Sequence, residues 1–245
     1  MTPATDFPRI APLGLEGVLV SFADRLDLKA NSAAIAFRSA LEADRPDGVT
    51  ETSVSLASVL VCCDATVTDP DDLLEALRAR VKAVDWYAEG LPKTRKLWHI
   101  PAAFDPELSP QLPEMAALLD MSVSDLTTEI LAAPLRVLTI GFAPGQPYLG
   151  ALPGHLNLPR QTDLTPKVPA GALVCAVRQI TLFTAPGPTG WRHIGQTAFR
   201  PFQPKAERPF PLSAGDEVRW RSVSAYEIKS LRDDPMGGAT HEPAP

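Results

Sequence analysis

Residues 141–171, GFAPGQPYLGALPGHLNLPRQTDLTPKVPAG, decide how this chain is read. Six Pro and five Gly are interleaved there with Phe142, Tyr148, several Leu and Val168. Pro fixes φ and lacks an N–H, while Gly reaches backbone angles closed to other residues, so the stretch cannot be a helix interior. A disordered linker would lack such aromatic and aliphatic anchors. The expectation is a long ordered loop system pinned to a core, the kind of segment that often carries binding and catalysis. A crossover between strands is the alternative, and composition leaves both open.

On the C-terminal side the chain breaks into short β-like runs at 137–140, 173–177, 180–183, 191–194 and 217–220, separated by Gly and Pro. Many short strands with turn signals between them suggest a closed barrel or sandwich. Two short helices, 113–119 and 122–131, precede the runs, the second opened by Ser122 and Asp125 in a capping arrangement. Residues 231–245 carry no periodicity and are expected to form a disordered tail.

The first hundred residues alternate differently. Strand runs at 17–22, 49–54, 58–63 and 97–100 enclose one helix from Asn31 to Leu41 and another from Pro70 to Val84. Asn31 is read as the first N-cap and Asp69 as the second, with Pro70 at the first helical position. The order βαββαβ resembles a ferredoxin-like split unit. The expected fold class is α+β, with domains at 1–95 and 96–230.

Composition excludes several functions. The formal net charge is −6, and the short basic run Lys93–Lys96 is no nucleic-acid footprint. No apolar stretch reaches the roughly 20 residues of a membrane helix. The first ten residues have no basic region leading into an apolar one, so no signal peptide is expected. Cys62, Cys63 and Cys175 have no zinc spacing and suit a reducing compartment, so a cytoplasmic location is expected. His99, His155, His193 and His241 are scattered, and no metal site is expected. No nucleophile elbow, Walker loop or HExxH motif occurs. The residues alone therefore stop at a two-domain protein with a Pro/Gly-rich loop site.

Ordered motifs carry the reading further. PLGLEGVLVSFAD at 12–24, IGFAPGQPYLGALP at 140–153, LPR at 158–160, VPAG at 168–171, GPTGWRHIGQT at 187–197 and LSAGDEVRW at 212–220 follow one another. Together they resemble the allophanate hydrolase subunit 1 / carboxyltransferase C–D family. That family includes the B subunit of bacterial ATP-dependent 5-oxoprolinase and a sporulation-kinase inhibitor of Bacillus type. The resemblance implies a ferredoxin-like N-terminal domain and a cyclophilin-like β-barrel domain. It also implies a homologous cyclophilin-like second subunit and, in the oxoprolinase, a third, TIM-like subunit.

The implied activity is ATP-dependent hydrolysis of a small cyclic amide, 5-oxoproline to glutamate, with ATP and Mg in the complex. Two other implications stay open: inhibition of a histidine kinase, and a role in a biotin-dependent urea carboxylase system. No biotin-attachment segment occurs in this chain, so biotin would arrive on another protein. A lactam resists hydrolysis, and an ATP-coupled route needs cations, N–H donors and a shaped pocket. The substrate-binding candidates are Phe142, Gly145, Tyr148, Arg160, Lys167, Arg178, Gln179, Trp191 and Gln196, while no residue is assigned a catalytic role. Phe142, Tyr148 and Trp191 read more readily as core anchors than as ligand contacts. Four positions depart from the family pattern: Ile130 in place of a His, Leu164–Thr165 in place of Pro-Arg, Arg178 in a turn otherwise rich in small residues, and Gln196 in place of Arg.

Overall fold

Val18 and Val20 in one strand, and Val59, Val61 and Cys63 in another, are buried at every second position. This period-two pattern gives a sheet one buried face. The computed structural model describes residues 7–245, so the signal-peptide expectation rests mainly on positions outside the described residues. The chain divides into two units, Met1–Lys93 and Thr94–Pro245.

The first unit contains β1 (Arg9–Pro12), β2 (Gly17–Ser21), α1 (Leu28–Ala43), β3 (Val49–Ser55), β4 (Ser58–Cys63) and α2 (Pro70–Ala83). Its four strands form an antiparallel sheet in the order β1-β2-β4-β3. α1 lies over β3 and β4, and α2 over β1 and β2. Phe37 anchors the core between Phe22 at 5.7 Å and Trp86 at 5.1 Å. Burying a side chain of that size contributes about 2–3 kcal/mol. Asp69 caps α2 by accepting from the Asp71 N–H at 2.9 Å, with Pro70 in the first turn, as the sequence predicts.

Two expectations change here. The N-cap of α1 is Asp27, which accepts from the Ala30 N–H at 2.8 Å. Asn31 is fully buried one turn inside the helix and donates from Nδ2 to the Leu56 carbonyl at 2.7 Å. The run at 97–100 does not complete this sheet. The edge beside β2 is taken by β1, so the order is ββαββα.

The second unit opens with β5 (Lys96–Ala102), α3 (Leu112–Leu118), α4 (Val123–Ala132), β6 (Leu135–Ile140) and β7 (Pro147–Gly150). There follow β8 (Thr165–Val168), β9 (Ala172–Ala176), β10 (Gln179–Leu182), β11 (Gly187–Thr189), β12 (Arg192–Gln196), β13 (Glu217–Ser222), α5 (Ala225–Ser230) and β14 (Thr240–Pro243). Eight strands run in the order β12-β9-β10-β7-β6-β13-β5-β14, with β13 and β5 parallel. The sheet curls back on itself where Ala103, just past β5, exchanges hydrogen bonds of 2.8 and 3.0 Å with Gln196 of β12. The long loop expected at 141–171 is partly strand, because β7 lies between β6 and β10 and β8 pairs with β11. Arg95, placed in the first domain by sequence, belongs to this unit and pairs with Glu217 at 2.8 Å.

The tail is also ordered. β14 pairs antiparallel with β5, and the His241 ring sits 4.6 Å from Trp98. Its four residues are exposed, and such an edge strand has no apolar alternation for a sequence reading to find. Every residue of β9, β10 and β12 is buried, which means both faces of the sheet are covered there. One face joins the main core through Leu173, Ile180, Leu182 and Ile194. Val174 and Ala176 face a smaller cluster with Val168, Phe183 and Trp191, against which Tyr148 packs.

Candidate functional site

The smaller cluster leaves a gap, and the gap is the candidate site. Between β6 and β7 the chain reverses through Gly141–Gln146, where Gly141 donates to the Gln146 carbonyl and Gln146 to the Ala143 carbonyl, both at 3.0 Å. The turn holds Phe142 at φ +71° and leaves it 86% exposed at the cavity mouth. A positive φ is uncommon for an aromatic residue and marks an imposed conformation. Phe142 is thus a rim residue and not a core anchor.

Behind it lies a cavity of about 340 Å³. Tyr148 and Trp191 form one wall, edge to face, with ring centroids 5.9 Å apart. The Arg160 guanidinium lies 5.6 Å from the Trp191 ring centroid. Arg160 is exposed, and no carboxylate among the described residues lies within ion-pair distance of it. Gln146 and Thr181, both buried, also line the cavity, and the Thr181 hydroxyl has no hydrogen-bond partner. A buried polar group left unpaired costs about 1–3 kcal/mol, and this one lies closed off from solvent just behind the cavity wall.

A polar network fixes the far side. Gln161 accepts from Gln111 Nε2 at 2.6 Å and donates to the Trp191 carbonyl at 3.2 Å. Its main-chain N–H donates to the Gly190 carbonyl at 2.7 Å. Gln111 Oε1 accepts from the His193 N–H at 2.8 Å. Trp191 is further pinned by its own N–H, which donates to Thr189 Oγ1 at 3.0 Å.

Of the nine residues singled out from the sequence, Phe142, Tyr148, Arg160 and Trp191 meet in this cavity. The other five do not line it. Gly145 is a packing position: at φ +71°, an added Cβ would lie 2.4 Å from the Pro201 carbonyl oxygen. Lys167 is exposed on β8. Arg178 sits in the β9–β10 turn at φ +64° and donates from Nε to the Leu152 carbonyl at 2.8 Å. Gln179 is buried in β10 opposite Gly150. Gln196 donates to the Ala170 carbonyl at 2.7 Å and lines a second cavity. Gln111, Gln146, Gln161 and Thr189 are invisible to a sequence reading, since a lone Gln or Thr carries no motif of its own.

Among the described residues the lining contains no Asp, Glu, His or Cys. Burial pushes the Cys175 thiol up to about 12, so it stays protonated and inert. Burial also lowers the His193 pKa and holds the ring neutral, with Nε2 facing the Gly195 carbonyl at 3.0 Å. A carbonyl only accepts, so Nε2 carries the proton. Among the described residues no group of three His, Cys, Asp or Glu is placed to hold a metal ion, and no helix is long and apolar enough to cross a membrane.

Comparison with known proteins gives this architecture its family. A family model described as carboxyltransferase domain, subdomain C and D, matches residues 8–212, and the chain belongs to that family. It is 29% identical over 147 residues to the 5-oxoprolinase B subunit of Bacillus subtilis (strain 168), covering 60% of this chain and 61% of that protein. It is 31% identical over 154 residues to the 5-oxoprolinase B subunit of Escherichia coli O157:H7, covering 62% of this chain and 70% of that one. This chain therefore spans about three fifths of the length of the Bacillus relative. The crystal structure of TTHA0988 is similar with a TM-score of 0.72 and 28% identity, over 85% of this chain and 40% of that one. Urea amidolyase of K. lactis shares the fold, with a TM-score of 0.70 at 17% identity over 99% of this chain and 17% of that one.

Proposed function

We propose that this chain is one subunit of an ATP-dependent 5-oxoprolinase-like amidohydrolase, converting 5-oxoproline to glutamate with a homologous second subunit and a third, TIM-like subunit. The observation that carries the reading is Arg160, an unpaired guanidinium over Trp191 at a cavity of about 340 Å³ with amide and hydroxyl groups in its lining. 5-Oxoproline has one carboxylate and one ring amide. A guanidinium matches a carboxylate with two parallel N–H···O bonds. The Tyr148–Trp191 wall takes the flat ring, while Gln146 and Thr181 answer the lactam N–H and C=O. Relatives named as the B subunit of 5-oxoprolinase support the substrate class and the need for partners.

Among the described residues the cavity lining has no carboxylate, imidazole or thiol to take up a proton. In this reading the chain binds and orients the amide, and the partner supplies the group that moves protons. Mg–ATP does not fit the same cavity, which has one guanidinium and no carboxylate to hold the metal. We further propose that the first unit is a ferredoxin-like fold with β1 in place of its last strand, and the second a cyclophilin-like barrel. The free thiols Cys62, Cys63 and Cys175 favour a cytoplasmic setting.

The test is glutamate release from 5-oxoproline by the purified co-expressed subunits, with and without ATP. ATP-dependent release that disappears when this chain is omitted is expected. A complete complex with no turnover overturns the proposal.

A further inference from the structure

Three glycines from three separate segments press on one short piece of backbone. Added Cβ atoms would lie 2.2 Å from the Thr197 carbonyl oxygen at Gly171, 2.3 Å from the Phe199 nitrogen at Gly237 and 2.4 Å from the Pro201 carbonyl oxygen at Gly145. All three glycines have positive φ, at +81°, +54° and +71°. Only a residue without Cβ allows both that conformation and that approach. The segment Thr197–Pro201 is held from three sides as it leaves β12, and it carries Arg200.

This segment lines a second cavity of about 460 Å³, which shares Phe183 with the first. Phe183, Phe199, Phe202 and Ile228 supply apolar walls. Arg200 and Arg232 are the charged residues in the lining, with no Asp or Glu, although the chain has 29 acidic against 23 basic residues. Arg200 Nη2 donates to the Arg232 main-chain oxygen, which brings the two residues together. Neither guanidinium has a carboxylate within ion-pair distance among the described residues. The nearby Asp234 is engaged by the N–H groups of Met236 and Gly238 at 2.9 and 2.7 Å.

We propose that this cavity binds a phosphoryl group carried on an apolar or aromatic body, with Arg200 and Arg232 as its charge partners. Two like charges lining one concave site repel each other, and a doubly charged oxyanion relieves that repulsion. Guanidinium forks match phosphoryl oxygens in geometry as well as charge. The phenyl walls suit the remainder of such a ligand. A carboxylate offers the same oxygen chemistry with half the charge per group, and a dicarboxylate of similar total charge separates the two in the test. This cavity alone carries the proposal, and the amide-hydrolase reading is not needed for it.

The experiment is calorimetric titration of the intact chain at low ionic strength with pyrophosphate, adenosine monophosphate and glutarate. Saturable binding of both phosphoryl probes is expected, with adenosine monophosphate the tighter and glutarate at least about tenfold weaker, a gap of ~1.4 kcal/mol. Arg200→Ala and Arg232→Ala should each weaken pyrophosphate about tenfold or more, while Arg160→Ala leaves it unchanged. Both side chains are exposed, so thermal midpoints should hold within about 2 °C. Absence of saturable phosphoryl binding, binding that survives the double substitution, or glutarate as tight as pyrophosphate overturns the proposal. Because no partner or turnover enters, failure here and failure of the oxoprolinase reading are separate results.

Discussion

Replacing Gly145 by Ala places a methyl group 2.4 Å from the Pro201 carbonyl oxygen, 2.9 Å from its carbon and 3.0 Å from the Phe202 Cβ. Two costs add. An L-residue held in the left-handed region loses roughly 1–2 kcal/mol. Forcing backbone apart in a packed site costs about 1–3 kcal/mol more. Together Gly145→Ala should destabilise the second unit by about 2–5 kcal/mol. At ~2–4 °C per kcal/mol its thermal midpoint then falls by roughly 5–20 °C. The control sits four residues earlier in the same motif. Gly141 has no positive φ, and nothing lies within 4 Å of an added Cβ. Gly141→Ala should be neutral or stabilise by up to ~1 kcal/mol through the unfolded chain. Scanning calorimetry on both variants measures the difference, read in the transition that belongs to Thr94–Pro245. If the two variants unfold within about 0.5 kcal/mol of each other, the packing explanation of Gly145 is wrong.

Arg160→Ala should lower kcat/KM of the reconstituted complex roughly 10- to 100-fold, the worth of a charge-assisted hydrogen bond. Its midpoint should move little, since a solvent-exposed cation over an aromatic ring contributes only about 0.5–1 kcal/mol; a large fall would make Arg160 a structural residue. Val177 is a β-branched residue at φ +45°, partly exposed in the β9–β10 turn. Val177→Asn suits that conformation and should raise stability by roughly 1 kcal/mol, so a loss in urea melts contradicts the turn geometry. His193 has its pKa lowered in the folded state by burial. The unfolded chain therefore binds a proton first, and stability falls as pH drops through the ordinary His range near ~6.5. His193→Gln should flatten that part of a stability–pH curve, and an unchanged slope would refute the assignment.

Sequence speaks clearly where periodicity is strong. α2 carries its cap, its Pro and its apolar stripe together, and local chemistry alone fixes it. Where tertiary contacts decide, the residues are silent. β1 reads Arg9-Ile-Ala-Pro12, with three of its four residues exposed, and only pairing with β2 makes it a strand. β7 is masked by Pro144 and Pro147, although Pro at the first position of a strand costs no ladder bond. The aromatic and cationic members of the cavity are legible because their motif is odd in composition. Gln161 and Thr181 are not, because a glutamine or threonine acquires meaning only from the partners that folding brings.

The four positions read from sequence as departures from the family pattern have structural uses that bear on the proposed chemistry. Ile130 is fully buried in the main core, where a His would need a partner. Thr165 lies between Gln111 and Gln161, at 3.4 Å from each, and so supports the wall behind Trp191. Arg178 ties the β9–β10 turn to Leu152, and Gln196 ties β12 to Ala170. None of these four side chains lines the first cavity, and Leu164, which does, adds only an apolar surface. Where the resemblance would place groups for proton transfer or phosphate neutralisation, the residues present pack the core or hold loops in place. The cavity presents an aromatic wall, a guanidinium and amide and hydroxyl groups, which suit the small anionic amide of the proposed function. On the proposed oxoprolinase reading, the complementary bases and metal ligands belong on a partner surface. Activity from this chain alone would contradict that division of labour.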